Sequence, residues 1–482
     1  MRGRTTLAAL ALLAAPVEAS AVDAATLERR DCPFAEDFPT HIAACSRFTR
    51  ADGGTVIAFD VAVLTPSTRR SVGHVVYLPG GPGEAPVGKQ GLFADLLTPF
   101  ADRTLVLFNP RGTEGTRPRL TCDFGALVLE QDFGDARALS RLRDCLRRFE
   151  RDGIDPALFT SLDIAKDVDA LVRALGIARA GVYGISYGTE SGLHLLAMAP
   201  RWLGFAILDS VSVPGLSGIR DELDARDRFL AALDLSCFAA GQCSPIARGD
   251  AATLAEWAAQ FDAEPLVFHI REDHEWAFDG ADILDYLAQL GAYPDGLDIA
   301  GLMVDLIQTS RLRALGWISE DVTSNIEFTA ENLPLMLQAY ADTFDEADVA
   351  TIAGATDYPR DREGAEAQLD FQRLWRGDTP REAVFLTGER RPAGVPVLML
   401  SGGVDAFTPA EWAAAVHGRF SGLDHFLFPL LGHANSVVPT APLRDPALTA
   451  QTRCAGAAMR AFLNPTLTLD ADCRRHRIGE EE

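Results

Sequence analysis

Gly181-Val182-Tyr183-Gly184-Ile185-Ser186-Tyr187-Gly188-Thr189-Glu190 is the stretch that decides how this chain folds. Gly181-Val182-Tyr183 reads as the end of a strand. Gly184 through Gly188 form a sharp turn with a serine at its apex, and Glu190 through Ala199 (with Leu193, Leu196 and Met198) reads as a helix. A serine on so tight a strand-to-helix turn takes a strained backbone geometry. Any side chain at the flanking glycines would collide with the adjacent strand or helix. The helix then points its positive N-terminal end at the serine. Because G-x-S-x-G also occurs in plain turns, its meaning depends on finding partners.

A hydrolase site of this kind follows the chain order serine, acid, histidine. Val395 through Leu400 is a short apolar run of the type found in buried parallel strands. It leads into Ser401-Gly402-Gly403-Val404-Asp405, and Thr408-Pro409 opens the next helix. Asp405 thus falls on a loop at a strand's C-terminal end, where open α/β sheets bind ligands. The next strand, His425-Phe426-Leu427-Phe428, is followed by Leu431-Gly432-His433, which puts His433 on the adjacent loop. His425, inside the strand, is the weaker of the two histidines. Asp209, after Phe205-Ala206-Ile207-Leu208, also ends a core strand and is a rival acid. Asp405 is preferred because its strand directly precedes the histidine's.

Upstream, His74 through Leu78 reads as a strand ending in Pro79-Gly80-Gly81-Pro82-Gly83. A glycine run lets backbone N–H groups approach an anionic oxygen closely. Gly81 can donate, Pro82 has no N–H, and the N–H of Tyr187, after the serine, is the expected second donor. The same residues would also make an ordinary Gly-Pro turn.

These stretches resemble the tripeptidyl aminopeptidase and prolyl aminopeptidase group of α/β-hydrolases. The resemblance runs through Leu78–Gly83, Phe108-Asn109-Pro110-Arg111-Gly112-Thr113, residues 161–176, Tyr183–Thr189, residues 402–409 and Gly432-His433. It extends to Cys454 and Cys473, as in the secreted tripeptidyl aminopeptidase branch. Two positions depart from the group. Pro79 stands where prolyl aminopeptidases usually have histidine, and Asn109 replaces the usual aspartate. The resemblance implies an α/β-hydrolase fold, a mostly parallel sheet flanked by helices, with an inserted helical cap. It also implies a serine peptidase of aminopeptidase type and a cap acid that binds the substrate's amine. In Ser324 through Pro334 that acid is Glu331 first and Glu327 second, with Thr329 where relatives often have cysteine. Glu331 could equally mark a helix start before Leu333.

Met1-Arg2-Gly3-Arg4, the short apolar run Leu7–Ala15 and Ala19-Ser20-Ala21 read as a cleaved leader over 1–21. No apolar run approaches the roughly 18 residues of a spanning helix, so the expectation is a secreted or periplasmic protein without membrane insertion. The eight cysteines fit disulfides in such a compartment. Pairing sequence neighbours gives Cys32–Cys45, Cys122–Cys145, Cys237–Cys243 and Cys454–Cys473, although eight cysteines allow 105 connectivities. There is no C-x-x-C pair. His269 and His274 lack a third ligand and read as a solvated turn, so no metal site is expected.

The 482 residues are 48% hydrophobic, enough for a large core, and the formal charge of −24 opposes nucleic acid or anionic membrane as a partner. The texture divides into a core segment 22–214, a helix-rich insertion 215–388 placed as a cap, a second core segment 389–475 and a charged tail 476–482. Within the insertion, residues 252–261, 281–290, 299–307 and 333–344 carry helical patterns. The expected function is acyl-bond hydrolysis without a cofactor, on a peptide or a small acyl substrate. The alternatives are a carboxylesterase with the same residues and a catalytically inactive binding protein. Oligomeric state is left open.

Overall fold

The structure, a computed structural model, describes residues 25–34, 40–88, 98–122, 124, 136–216, 219–243, 249–271, 274–339, 366, 369–375, 394–437 and 443–479. The leader expected over 1–21, the helical pattern beyond residue 339 and the last residues of the tail lie outside these. In chain order the strands are β1 (Thr26–Arg30), β2 (His41–Asp52), β3 (Thr55–Pro66), β4 (His74–Leu78), β5 (Thr104–Phe108), β6 (Ala180–Ile185), β7 (Leu203–Asp209), β8 (Leu266–Arg271), β9 (His274–Phe278), β10 (Val397–Gly402) and β11 (Leu423–Phe428). Nine of them form one sheet in the order β1-β2-β3-β5-β4-β6-β7-β10-β11. From β5 to β11 every pairing is parallel, while β1, β2 and β3 add an antiparallel edge. The central strands are buried on both faces: every residue of β5, β6 and β10 is buried. Such strands read as unbroken apolar runs because helices cover both sides of a parallel sheet.

The described helices are α1 (Ala136–Arg151), α2 (Ser161–Ala174), α3 (Gly188–Met198), α4 (Ile219–Asp234), α5 (Leu254–Ala258), α6 (Gly280–Gln289), α7 (Gly296–Thr309), α8 (Arg311–Ala339), α9 (Ala410–Val416), α10 (Pro446–Leu463) and α11 (Ala471–Arg474). Thr160 and Asp163 close a capping box at the start of α2, and Gly176 follows its end at φ +68°. Ile164, Val168, Leu171 and Val172 of α2 pack with β-strand residues such as Val76, Val106 and Val182. The helical period read from the sequence therefore faces the sheet.

Between β7 and β10 the chain leaves the sheet, and the insertion differs from the sequence expectation in three ways. The insertion is not purely helical, since β8 and β9 pair as an antiparallel hairpin, and His269 and His274 lie in those strands. Residues 311–339 form one helix of 29 residues with Pro334 inside it, so Glu331 lies within a helix and does not start one. The insertion also does not build its hydrophobic core alone. Leu142, Cys145 and Phe149 of α1, with Leu120 and Phe159, join Phe229, Trp257, Leu287, Met303 and Ile318 in a single cluster. A segment that the texture assigns to the first core half thus serves as a floor for the insertion.

All eight cysteines are paired as neighbours: Cys32–Cys45, Cys122–Cys145, Cys237–Cys243 and Cys454–Cys473, with Cα separations of 5.4, 5.8, 4.5 and 5.0 Å.

The Asn109-Pro110-Arg111 turn after β5 is tied down by charge. Arg111 is fully buried; its guanidinium donates to both oxygens of Asp167 on α2 at 2.7 and 2.6 Å and reaches Asp52 at 2.8 Å. Arg50 also binds Asp167, at 2.6 Å. Burial disfavours the Arg111 charge, but the facing Asp167 outweighs it and holds the guanidinium above its usual value. Removing one partner leaves a buried carboxylate short of its cation. We expect Arg111→Ala to lose about 3–5 kcal/mol of stability, read as a lower denaturant midpoint in chemical unfolding. An unchanged midpoint would show that the network contributes nothing.

Candidate active site

Ser186 lies between β6 and α3 at φ +55°, the left-handed region that a residue with a side chain rarely occupies. The turn is tight because the glycines allow it. A Cβ on Gly184 would come within 2.8 Å of the Gly188 carbonyl, and one on Gly188 would overlap the Leu78 carbonyl at the end of β4. The Ser186 N–H donates to the Asp209 carbonyl at 3.0 Å, and the Thr189 hydroxyl donates to the Ser186 carbonyl at 2.6 Å. Serine, helix start and strand end are therefore fixed together.

Asp405 and His433 meet. His433 Nδ1 stands 3.0 and 2.9 Å from the two Asp405 oxygens. A carboxylate can only accept, so Nδ1 carries the proton and Nε2 is left as the basic nitrogen. Asp405 also accepts the N–H groups of Phe407 and Thr408, both at 2.9 Å, and the Thr408 hydroxyl at 2.7 Å. Burial alone would push the Asp405 carboxyl up, but the His433 charge and these hydrogen bonds hold it below the usual carboxylate range. For His433, burial works against the charged ring. Asp405 beside it, with a smaller contribution from Asp209, outweighs that and leaves the imidazole above its ordinary value. Among the described residues the Ser186 hydroxyl has no hydrogen-bond partner, so no bond joins it to His433 in this conformation; such contacts commonly tighten only with substrate.

Asp209, the rival acid, does not bond the His433 ring. Its carboxylate instead accepts the N–H groups of Asn435 and Ser436 at 2.9 and 2.7 Å. His425 is buried in β11 with Nε2 3.0 Å from the Ser401 hydroxyl, and burial, helped by nearby His417, lowers its pKa to about 4. It is a neutral core residue.

The glycine loop lies against the serine: a Cβ on Gly80 would stand 3.4 Å from Ser186 Cβ. Gly80 N–H is taken by Glu84 at 2.7 Å, whereas Gly81, at φ +102°, has no acceptor for its N–H among the described residues. Glu84, which also accepts the Tyr77 hydroxyl at 3.1 Å, was not legible as a loop anchor, because nothing in the sequence distinguishes it from a surface glutamate. Asn109 anchors the chain a little further on. It accepts Val87 N–H at 2.7 Å and donates to the Val87 and Glu114 carbonyls at 3.3 and 3.0 Å. An aspartate could not make the two donations.

Helix α8 lies across this loop. A Cβ on Gly83 would overlap the Asn332 side chain, and one on Gly112 would come within 2.8 Å of Leu335. Glu331, next to Asn332, forms an ion pair with Arg119 and is about half-exposed, while Glu327 is exposed one turn earlier. Glu222 in the first turn of α4 was not singled out by its sequence. It is half-buried, has no ion-pair or hydrogen-bond partner among the described residues, and is pushed up to about 7 by burial and then by Asp221. It shares a helix face with Ala225 and Phe229, and the Phe229 ring packs against Gly291 and lies in the same core cluster.

Residues 73–225 match the family described as alpha/beta hydrolase fold. A stretch of 193 residues is 31% identical to serine protease Hip1 of Mycobacterium tuberculosis and of Mycobacterium bovis, covering 36% of this chain. The match spans 36% of the length of those curated relatives. Solved structures with some likeness include proline iminopeptidase of Mycobacterium smegmatis, at 16% identity and TM-score 0.35, over 87% of this chain and 100% of that one. Another is MGS-M2, an alpha/beta hydrolase from a Medee basin deep-sea metagenome library, at 12% identity and TM-score 0.39, over 88% and 98%. With a mostly parallel sheet, a glycine-flanked serine turn after β6 and the matched segment 73–225, the chain has an α/β-hydrolase fold.

Proposed function

We propose that this chain is a serine hydrolase that cleaves acyl bonds through an acyl-enzyme, and that its substrates are peptides with a free N-terminus. The observation that carries the first part is the buried Asp405–His433 pair on strand ends of the same sheet as the strained Ser186 turn. Ser186 Oγ attacks the carbonyl carbon and its proton passes to His433 Nε2. Asp405 holds Nδ1 and stabilises the imidazolium. The N–H groups of Gly81 and Tyr187 bind the oxyanion, a contribution of about 3–4 kcal/mol per donor. His433 then protonates the leaving amine, and water attacks the acyl-enzyme by the same steps.

The aminopeptidase part is supported by the resemblance to tripeptidyl and prolyl aminopeptidases and by the partial identity with a serine protease. The insertion 215–388 acts as the cap. A buried ammonium needs a carboxylate partner, and Glu331 next to the glycine-loop contact of Asn332 remains our first choice, with Glu327 second. The Arg119–Glu331 pair favours the second reading, a carboxylesterase for short acyl esters, because it leaves that carboxylate already neutralised.

A panel of aminoacyl and tripeptidyl anilides set against short acyl esters tests both readings. Ser186→Ala should lower kcat by about a millionfold and abolish fluorophosphonate labelling, with the fold retained. Asp405→Asn should cost about ten-thousandfold. Activity in Asp405→Asn together with loss in Asp209→Asn would make Asp209 the acid.

Glu331→Gln should raise KM for free-amine peptides about tenfold to a hundredfold while sparing acyl esters. Equal loss on both would mean a folding role. No loss on either would end the assignment, and Glu222→Gln on the same panel would then show whether the unpartnered carboxylate of α4 binds the amine.

Export is proposed from the leader-like start and the four disulfides. The mature protein should begin near Val22 and react with no thiol reagent when denatured without reductant. An intact Met1 or several free thiols would place it in the cytosol.

A further inference from the structure

Besides Asp405, a second fully buried carboxylate serves the histidine's loop, and the mechanism above gives it no task. Asp209 accepts from Asn435 N–H at 2.9 Å, the Asn435 side-chain amide at 3.2 Å, Ser436 N–H at 2.7 Å and the Ser436 hydroxyl. Its neighbour Ser210 accepts the N–H of Ala434 at 2.8 Å. The three N–H groups that follow His433 are thus all bound by two residues at the end of β7. At the same time the Asp209 main-chain carbonyl accepts the Ser186 N–H at 3.0 Å. Ser186, Ser210 and Ala434 all lie in the left-handed region, at φ +55°, +56° and +59°. Three strained residues beyond the C-terminal ends of β6, β7 and β11 persist only where surrounding bonds over-determine them. The Asp209 network supplies those bonds, and consecutive N–H groups around one anion are a favourable arrangement for it.

We propose that Asp209 is a positioning residue for His433, an assignment that rests on the serine-hydrolase reading. Its carbonyl fixes the serine's turn and its carboxylate fixes residues 434–436, so one side chain and its own backbone set the imidazole relative to the hydroxyl. The insertion holds the same loop from the other side, with Gly432 N–H donating to Pro294 O at 3.1 Å and His433 N–H to Gly291 O at 2.9 Å.

Its charge also reaches the ring. The carboxylates acting on His433 are Asp405 from the loop after β10 and Asp209 from β7. Tyr77 of β4 and Tyr183 of β6 also feel Asp209, with Glu84 beside Tyr77, and burial keeps both phenols neutral. From the insertion, the turn at 291–294 brings backbone carbonyls and Tyr293. Both carboxylates favour the imidazolium; burial raises the Asp209 carboxyl, and its hydrogen bonds from Ser436 and Asn435 and the His433 charge work against that rise. Removing the Asp209 charge therefore lowers the His433 pKa, and because catalysis needs the neutral ring, the acid limb of kcat/KM moves to lower pH.

The test is Asp209→Asn assayed on an acyl ester, with thermal unfolding as a check of the fold. An asparagine turns a donor toward the Asn435 or Ser436 N–H and cannot hold the loop. We expect kcat to fall about a hundredfold, the usual result of misplacing a catalytic group by about 1 Å, with KM little changed and the acid limb shifted down. A folded variant with wild-type kcat, or with an unmoved acid limb, overturns the proposal. If the variant does not accumulate, Ser436→Ala decides, because it removes one donor and leaves the charge. A severalfold loss of kcat at constant KM supports the assignment, and wild-type kcat overturns it. An active Asp405→Asn enzyme beside a dead Asp209→Asn enzyme also overturns it, by making Asp209 the acid. Failure of the unmodified protein to react with a fluorophosphonate would instead remove the hydrolase reading on which the proposal rests.

Discussion

The close approach of the β6–α3 turn to the end of β4 is the constraint on which the rest of the site depends. Gly188 packs directly against the Leu78 carbonyl, and Gly184 faces the Gly188 carbonyl with no room for a side chain. That contact forces the turn to close in few residues and leaves Ser186 in the left-handed region. It also sets the glycine loop after β4 against the serine. The proposed oxyanion site beside Ser186 rests on that packing.

The histidine depends on a different kind of constraint. Its loop after β11 has no regular structure, and a loop holds a side chain precisely only if its backbone bonds are satisfied by something rigid. Here the partners come from two directions: Asp209 and Ser210 at the end of β7, and the Gly291–Pro294 turn of the insertion. The insertion therefore does more than cover the sheet. A substitution in the turn after α6 reaches His433 through two backbone hydrogen bonds. The shared hydrophobic cluster with α1 works to the same end, because it anchors the insertion to the core along a second front.

Charge is used sparingly inside this acidic protein, and three buried groups show how it is matched. Arg111 meets Asp167 and Asp52, Asp405 meets His433, and Asp209 meets a set of N–H and hydroxyl donors. An uncompensated buried charge would cost several kcal/mol. Burial shifts the Glu222 carboxyl toward neutrality, and it raises Asp209, Asp295 and Asp321 as well.

What the sequence determined by itself was local and ordered along the chain. The glycines around Ser186, the apolar runs of β4, β6, β7, β10 and β11 and the period of α2 are all readable, because steric limits and burial leave their mark on nearby residues. Asp405 and His433 could be nominated since each sits just beyond a strand. What only the tertiary structure decided was which polar groups meet across long separations. Asp209 and Asn435 are 226 residues apart, Glu84 looks like any surface glutamate, and Glu331 gains Arg119 as a partner only after α8 crosses the glycine loop. The hairpin in the insertion and the enlistment of α1 into its core were hidden for the same reason. Sequence pattern records which side of an element is apolar; which other element covers it is fixed only when the whole chain packs.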